Sequence, residues 1–88
     1  MNEINYLKLE HLIKSHFRKY DFLRVGGNLI LCRVGDFEIY ADMNSMIAYV
    51  RLPSVVMNRK YYKTKTKAYR LKRKLNNYIK HVIKNKYL

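Results

Sequence analysis

The 88-residue sequence is poor in several features that mark particular classes of protein. It has a single cysteine, Cys32, which excludes an internal disulfide, and its position in an apolar run favours a buried, unreactive thiol over a nucleophile. The uninterrupted apolar runs, such as residues 29–32, are far too short to cross a bilayer. Charged residues interrupt the apolar residues near the N-terminus, so no secretory signal peptide is evident. These absences predict an intracellular protein of a reducing compartment, the cytoplasm.

The residue patterns that build active sites and metal centres are also missing. There is no nucleotide-binding glycine loop, no paired metal-ligand motif and no hydrolytic triad. Asp36, Glu38 and Asp42 are the only clustered acids, and Tyr40 stands where a metal-dependent nuclease usually carries its lysine. We therefore predict that the protein is not an enzyme, with no catalytic residue, no cofactor, no metal site and no small-molecule substrate.

Acidic residues are absent from the last 36 residues, 53–88, and this absence dominates the electrostatics of the chain. The segment contributes twelve positive charges, whereas residues 1–52 carry seven positive and six negative ones, so +12 of the net charge of +13 lies in the segment. Like charges without acids between them repel each other, and a polyanion relieves that repulsion. The cations of the segment are Arg59, Lys60, Lys63, Lys65, Lys67, Arg70, Lys72, Arg73, Lys74, Lys80, Lys84 and Lys86.

Most of this segment has the periodicity of an amphipathic helix, with no glycine or proline after Pro53. The pattern predicts a helix from about Thr66. Residues 59–67 are ambiguous, because their threonines and Tyr61-Tyr62 lower the helix signal, and we interpret them as a basic loop leading into the helix. The apolar side of the helix consists of Ala68, Leu71, Leu75, Tyr78, Ile79, Val82 and Ile83. The opposite side consists of Arg70, Arg73, Lys74, Asn77, Lys80, His81 and Lys84.

The N-terminal part of the chain predicts one helix followed by strands. Residues 3–20 have a helical apolar stripe with His16 at its centre, which we expect to pack between helix and sheet without a metal. The period then changes to two, and turn residues arrive every eight to ten positions. Gly26-Gly27, Gly35-Asp36 and Asn44-Ser45 are typical of turns. The predicted strands are 21–25, 28–34, 37–42 and 46–52, the last ended by Pro53.

The second and third turns predict one common register for the sheet. They place Cys32, Ile39 and Val50 side by side on the core face, and Arg33, Glu38 and Arg51 in a row on the other. The expected fold is therefore α+β in a single domain, residues 1–88. It has an N-terminal helix, an antiparallel meander of three to four strands and a long basic C-terminal helix, with both helices covering the apolar face of the sheet.

The predicted order of a helix, strands and a basic helix resembles that of the double-stranded RNA-binding domain. In that family a lysine cluster at the start of the last helix contacts phosphates across a groove. Lys65, Lys67 and Ala68 occupy a comparable place here. The chain departs from the family by its fourth predicted strand and by Lys65-Thr66-Lys67 in place of the adjacent lysines before the alanine. The resemblance therefore covers the order of elements, not a residue motif.

The basic segment favours a nucleic-acid-binding protein that contacts the phosphate backbone of DNA or RNA. Lysine predominates in it, and lysine acts as a point charge without the bidentate fork of arginine, so contacts to the backbone are favoured over reading of bases. Exposed tyrosines among the cations can stack on unpaired bases. The predicted phosphate contacts are Arg59, Lys60, Lys63, Lys65, Lys67, Arg70, Arg73, Lys74, Lys80 and Lys84. The stacking candidates are Tyr61, Tyr62 and Tyr69.

Two other functions fit the same composition. A small inhibitor from a virus or mobile element, similar to anti-CRISPR proteins, would dock its basic helix on an acidic or nucleic-acid-loaded host complex. The abundance of lysine, asparagine, isoleucine and tyrosine, whose codons are AT-rich, fits such an origin. A peripheral protein of anionic membranes is the third possibility, which the need for the apolar face in the core disfavours.

Overall fold

The structure is a computed structural model that describes residues 6–51 and 59–85, except for the side chains of residues 59–61. Helix α1 covers Tyr6–His16 and helix α2 covers Arg59–Lys84. The strands between them are β1 (Leu23–Gly26), β2 (Leu29–Val34), β3 (Phe37–Asp42) and β4 (Ile47–Arg51). They form one antiparallel sheet in the order β1-β2-β3-β4, so the predicted α+β arrangement is confirmed. The predicted helix start at residue 3, the strand end at Leu52 and the stop at Pro53 lie outside the described residues.

The first helix is shorter than the predicted 3–20, because α1 ends at His16 and a turn follows. In that turn the Phe17 amide donates to the Ile13 carbonyl at 2.9 Å, and the Tyr20 amide donates to the Phe17 carbonyl at 3.0 Å. Phe17 and Phe22 are both buried in the core. The chain must reverse between them to bury both rings, and this tertiary requirement overrides the helical periodicity.

The register predicted for the sheet is confirmed. Cys32 pairs with Ile39, which pairs with Val50, and Arg33 pairs with Glu38, which pairs with Arg51. Because successive side chains of a strand point to opposite faces, these two rows lie on opposite sides of the sheet. The apolar row contributes to the core and the charged row lies on the outer face.

The first hairpin differs from its predicted turn at Gly26-Gly27. Gly26 belongs to β1 and pairs with Leu29, with a register shift between Arg24 and Gly26, so the connecting residues are Gly27 and Asn28. Gly27 has φ 48, a left-handed conformation that glycine adopts without steric cost. Arg24 Nη1 donates to the Gly27 carbonyl at 2.7 Å and holds this turn.

Helix α2 begins about seven residues earlier than predicted, and the residues interpreted as a basic loop, 59–67, are helical. The β2–β3 hairpin packs against this first part of α2, at Thr64. Gly35 in that hairpin has φ 61, and a Cβ at this position would overlap the Thr64 side chain. The Thr66 hydroxyl donates to the Tyr62 carbonyl at 3.2 Å, which satisfies its polar side chain within the helix. Docking against the hairpin thus outweighs the low helix propensity of the threonines.

The core lies between the sheet and the two helices. Helix α2 contacts β4, β3 and β2, and α1 contacts α2. The predicted apolar side of α2 is buried at five of its seven positions, while Tyr78 is half-buried and Ile83 is exposed. The buried cluster comprises Leu9, Ile13, Phe17, Phe22, Ile30, Cys32, Phe37, Ile39, Ala41, Met43, Ala48, Ala68, Leu71, Leu75, Ile79 and Val82.

Two polar contacts set the orientation of α2. Asn76 Nδ2 donates to the Ala48 carbonyl at 3.0 Å, and Asn76 Oδ1 accepts from the Ala48 amide at 2.8 Å. The side-chain amide therefore pairs with the edge strand β4 as a neighbouring strand would. On the other side, the Tyr78 hydroxyl donates to the Leu12 carbonyl at 3.4 Å and joins α2 to α1.

The prediction that His16 is packed between helix and sheet is wrong. Its side chain is exposed and its ring stacks on Tyr78, with centroids 4.1 Å apart and planes inclined by 17°. Since α1 ends at His16, the imidazole lies at the rim of the α1–α2 contact rather than beneath it. The aromatic ring of Phe17 fills the buried position instead.

Candidate nucleic-acid interface

The cations of α2 form an exposed surface along the helix. At roughly 1.5 Å of rise per residue, the 26 residues of α2 extend for about 39 Å. The side chains of Arg59 and Lys60 lie outside the described part. Every other predicted phosphate contact is exposed, namely Lys63, Lys65, Lys67, Arg70, Arg73, Lys74, Lys80 and Lys84. The helical phase inferred from the sequence is therefore correct at Arg70, Arg73, Lys74, Lys80 and Lys84, while the binding role of all eight residues stays a prediction.

Within the described part of the chain, no carboxylate forms an ion pair with this surface. The ion pairs within the described ranges, 6–51 and 59–85, all join residues of the first range. Glu10 contacts Lys14 at 3.2 Å and Arg24 at 2.7 Å, and Glu38 lies 3.7 Å from Arg33 and 4.0 Å from Arg51. No residue of α2 is acidic, so its lysines and arginines have only one another as charged neighbours along the helix.

The cations of α2 divide into two rows according to helical phase. One row faces the end of β2 and the turn after α1, where Lys67, Arg70 and Lys74 line a groove together with Tyr20 and Arg33. The other row includes Arg73 and Lys80, which lie beside Thr66, Tyr69 and Asn77 in a second groove that Arg70 also lines. Residues three and four positions apart are neighbours on a helix, so the row of Lys67, Arg70 and Lys74 is continuous. Arg73 and Lys80 are seven residues apart, with the neutral Asn77 between them.

The tyrosines of α2 differ in how accessible they are to a base. Tyr62 is 56% exposed, and Tyr69 is 39% exposed with the Lys72 ammonium 5.5 Å from its ring centroid. The side chain of Tyr61 lies outside the described part. Tyr62 and Tyr69 are seven residues apart and therefore share one side of α2, on which Arg73 and Lys80 also lie. That side offers rings in its first half and cations in its second half.

The outer face of the sheet contributes a second set of rings that were not predicted as a site. Tyr40 and Tyr49 stack on each other, with centroids 5.3 Å apart and planes inclined by 15°. Leu23 and Ile47 are exposed on strands of the same sheet. The sequence did place these tyrosines beside the arginines on the face opposite the core. The alternation of side chains along a strand predicts which face a residue lies on. It does not predict whether that face binds a partner or only contacts solvent.

Cys32, the single cysteine of the chain, is buried in the core. Burial, with a smaller contribution from the charge of Asp21, raises the pKa of the Cys32 thiol to about 11, so the thiolate is disfavoured. Among the described residues, no three histidine, cysteine or acidic side chains lie close enough together to hold a metal ion. Within the same ranges, no helix has the length and apolar composition that crossing a membrane requires.

No protein-family model, curated protein or solved structure shows detectable similarity to this chain. The site must therefore be interpreted from its own residues.

Proposed function

We propose that the protein binds the phosphate backbone of DNA or RNA through the exposed cations of α2. The observation that supports this most strongly is a surface about 39 Å long that carries lysines and arginines and no acid. A solvated helix face normally mixes both signs, because i,i+4 pairs of opposite charge stabilise it. Like charges at Lys63–Lys67, Arg70–Lys74 and Lys80–Lys84 instead destabilise the free helix, and phosphates relieve that repulsion.

The chemistry of the surface favours contact without recognition of base sequence. Six of the eight described phosphate candidates are lysines, which neutralise a phosphate as point charges. Phosphate contacts orient a protein on nucleic acid but carry no sequence information. Tyr62 and Tyr69 add rings that stack on any unpaired base. The partner is thus a nucleic acid recognised by its backbone, in the cytoplasm, where a protein with one buried thiol remains reduced.

A second candidate function is inhibition of a host complex that carries nucleic acid, by a protein of viral or mobile-element origin. The exposed side chains of Leu23, Ile47 and Tyr49 on the outer face of the sheet favour it, because apolar residues suit a protein partner. In this alternative α2 docks on an acidic surface of the complex. Affinity for naked nucleic acid would then be weak.

The proposal is tested by reversing the charge of three cations that point away from the core. The variant Arg73→Glu, Lys80→Glu, Lys84→Glu should bind a fluorescent 20-base-pair duplex about 100-fold or more weakly than the wild type, since three phosphate contacts become repulsive. Fluorescence anisotropy at low salt measures the affinity. Circular dichroism should show an unchanged fold, because all three side chains are exposed.

A matched control separates contact from net charge. The variant Lys8→Glu, Lys14→Glu, Arg18→Glu changes the net charge equally, at exposed positions of α1 and the turn after it. We expect it to weaken binding by less than about fivefold, because it affects the duplex only at long range. Equal losses in the two variants, or a wild type that binds neither duplex nor structured RNA, would overturn the proposal.

A further inference from the structure

A groove of about 440 Å³ lies where the end of β2 meets the middle of α2. Three of its residues, Lys67, Arg70 and Lys74, come from α2, and Arg33 comes from β2. Tyr20, from the turn after α1, adds a neutral polar side chain, while Val34 and Leu71 supply the apolar part of the lining. Two separate segments of the chain, β2 and α2, thus bring four cations to one groove.

The tertiary structure explains why this groove exists. Arg33 belongs to the outer face of the sheet, but it stands two residues before Gly35, where the β2–β3 hairpin packs against Thr64 of α2. This close approach brings the last residues of β2 beside the turn of α2 that begins at Lys67. The guanidinium can therefore line the same groove as the lysines of the helix.

The charge balance of the groove is strongly positive. None of the residues that line it is acidic. Among the described residues, Glu38 pairs with one of its cations, Arg33, at 3.7 Å, and this carboxylate also contacts Arg51 at 4.0 Å. Asp21 lines the adjoining groove, which shares Tyr20 and Arg33. Arg33 itself is 73% exposed at its side chain, so its guanidinium remains accessible to an anion.

We propose that this groove is the principal phosphate-binding site of the protein, with Arg33 as the residue that joins the sheet to the basic helix. The inference rests on the proposed function and adds a defined site to it. Arg33 supplies a planar fork that binds two oxygens of one phosphate, and the cations of α2 neutralise that phosphate and its neighbours. The backbone of a nucleic acid would run from the cations of α2 through this groove towards the outer face of the sheet.

Arg51 provides a closely matched control for Arg33. The two side chains are 70% and 73% exposed, lie on the same sheet face and contact the same Glu38, yet only Arg33 lines the groove. Arg33→Gln should weaken binding of a 20-base-pair duplex about tenfold at low salt, as loss of a charge-assisted contact does. It should also make the log–log salt slope shallower by about 0.9. Arg51→Gln should stay within about twofold of the wild type.

Two further experiments distinguish a failure of this inference from a failure of the proposed function. Arg33→Lys keeps the charge but loses the fork, so its affinity should fall between those of wild type and Arg33→Gln, which a loss through misfolding would not produce. Inorganic tripolyphosphate, followed by NMR shifts of the Lys67, Arg70 and Lys74 resonances, tests the same phosphate chemistry without nucleic acid. Tripolyphosphate should shift these resonances in the wild type, less in Arg33→Gln and equally in Arg51→Gln. That result would support phosphate binding in the groove even if the duplex does not bind. Equal effects of Arg33→Gln and Arg51→Gln on duplex affinity overturn it, while the proposed function stands.

Discussion

The two regions of the molecule hold their positive charges in different ways. In residues 6–51, Lys14, Arg24, Arg33 and Arg51 each lie within 4.0 Å of a carboxylate. Helix α2 has no acid at all, and several of its cations lie three or four residues apart, as Lys63 and Lys67 or Lys80 and Lys84 do. In the first region, charge joins elements of the fold, as Glu10 does between α1 and β1. In α2, repulsion among the cations destabilises the helix, and packing of its apolar side against the core keeps it folded.

The repulsion between the cations of α2 costs less free energy than burial of its apolar side contributes. Like-charge pairs at i,i+4 on a helix destabilise it by roughly 0.2–0.5 kcal/mol each. Burial of Leu71, Leu75 and Ile79 offsets such costs easily, since a fully buried aliphatic side chain contributes about 1.5–3 kcal/mol. The core therefore allows α2 to present a surface that is unfavourable in isolation and favourable against a polyanion.

The largest expected effect is on the free energy of unfolding, and it compares two adjacent residues that lie on opposite sides of α2. Leu75 is fully buried and Lys74 is exposed. Leu75→Ala should lower the free energy of unfolding by about 2–5 kcal/mol, because it leaves a cavity beneath the helix. Lys74→Ala should change it by less than about 0.5 kcal/mol, while weakening binding to the duplex. Urea denaturation and anisotropy measure both quantities. A large loss of stability in Lys74→Ala would contradict the division of the helix into two functions.

The second prediction concerns the contact that orients α2. Asn76→Ala removes both hydrogen bonds to Ala48 and leaves a strand-edge amide and carbonyl without them, so we expect a loss of about 1–3 kcal/mol in the free energy of unfolding. Asn77→Ala is the matched control, because Asn77 is exposed and belongs to the basic side. It should be within about 0.5 kcal/mol of the wild type. Equal effects would mean that the pairing with β4 does not hold the helix.

The third prediction concerns Glu38, the carboxylate that Arg33 and Arg51 share on the outer face of the sheet. Glu38→Gln deprives Arg33 and Arg51 of their carboxylate, and the Tyr40 hydroxyl, 3.4 Å away, can still donate to the amide oxygen. Affinity for the duplex should rise about two- to fivefold, because Arg33 no longer divides its charge between Glu38 and phosphate. Glu10→Gln changes the net charge equally at a distant pair and should have a smaller effect. A fall in affinity for Glu38→Gln would contradict the role assigned to Arg33.

The smallest expected effect is the pH dependence of the paired region. Partial burial acts to raise the pKa of Glu10, but hydrogen bonds and charges from Lys14 and Arg24 outweigh it and lower this pKa below its usual value of 4.5. The folded state therefore binds this proton less readily than the unfolded chain. The resulting stability is present above pH 4.5 and is lost as the pH falls through the folded pKa. Wild type and Glu10→Gln should differ by less than about 1 kcal/mol at pH 7 in urea titrations. The difference should shrink at pH 3, and a difference that grows there would contradict the assignment.

The sheet could be predicted from the sequence because two kinds of signal agreed. The turns at Gly35-Asp36 and Asn44-Ser45 and the alternation of apolar residues gave the same register, which the pairing of Ile39 with Cys32 and Val50 confirms. A slip of one residue would have moved every side chain to the other face, so agreement between turn and pattern is a strong constraint.

The start of α2 could not be predicted in this way. Residues 59–67 have weak helix propensity, and their helical state depends on contact with the β2–β3 hairpin at Gly35 and Thr64. The pairing of Asn76 with Ala48 is equally invisible, because it joins residues 28 positions apart through one side-chain amide. The C-terminal end of α1 and the place of His16 were missed for the same reason. Tertiary contacts decide them, and a local pattern does not contain that information.

The candidate site was also predicted only in part. Helical phase predicted that five cations of α2 face away from the core, and all five are exposed: Arg70, Arg73, Lys74, Lys80 and Lys84. Arg33 was predicted only as a member of the row with Glu38 and Arg51. Its place in a groove with Lys67, Arg70 and Lys74 arises from the way the hairpin meets the helix, which no spacing in the sequence encodes.

The central claim, that the cations of α2 bind phosphates, is tested most directly by the salt dependence of wild-type affinity for a duplex. Each phosphate that a cation neutralises releases counterions, so engagement of about five phosphates predicts a log–log slope between roughly −4 and −5. Anisotropy titrations across a series of monovalent salt concentrations measure it, with duplexes of two unrelated sequences. The account predicts this steep slope with nearly equal affinities for both sequences. A flat salt response would contradict it.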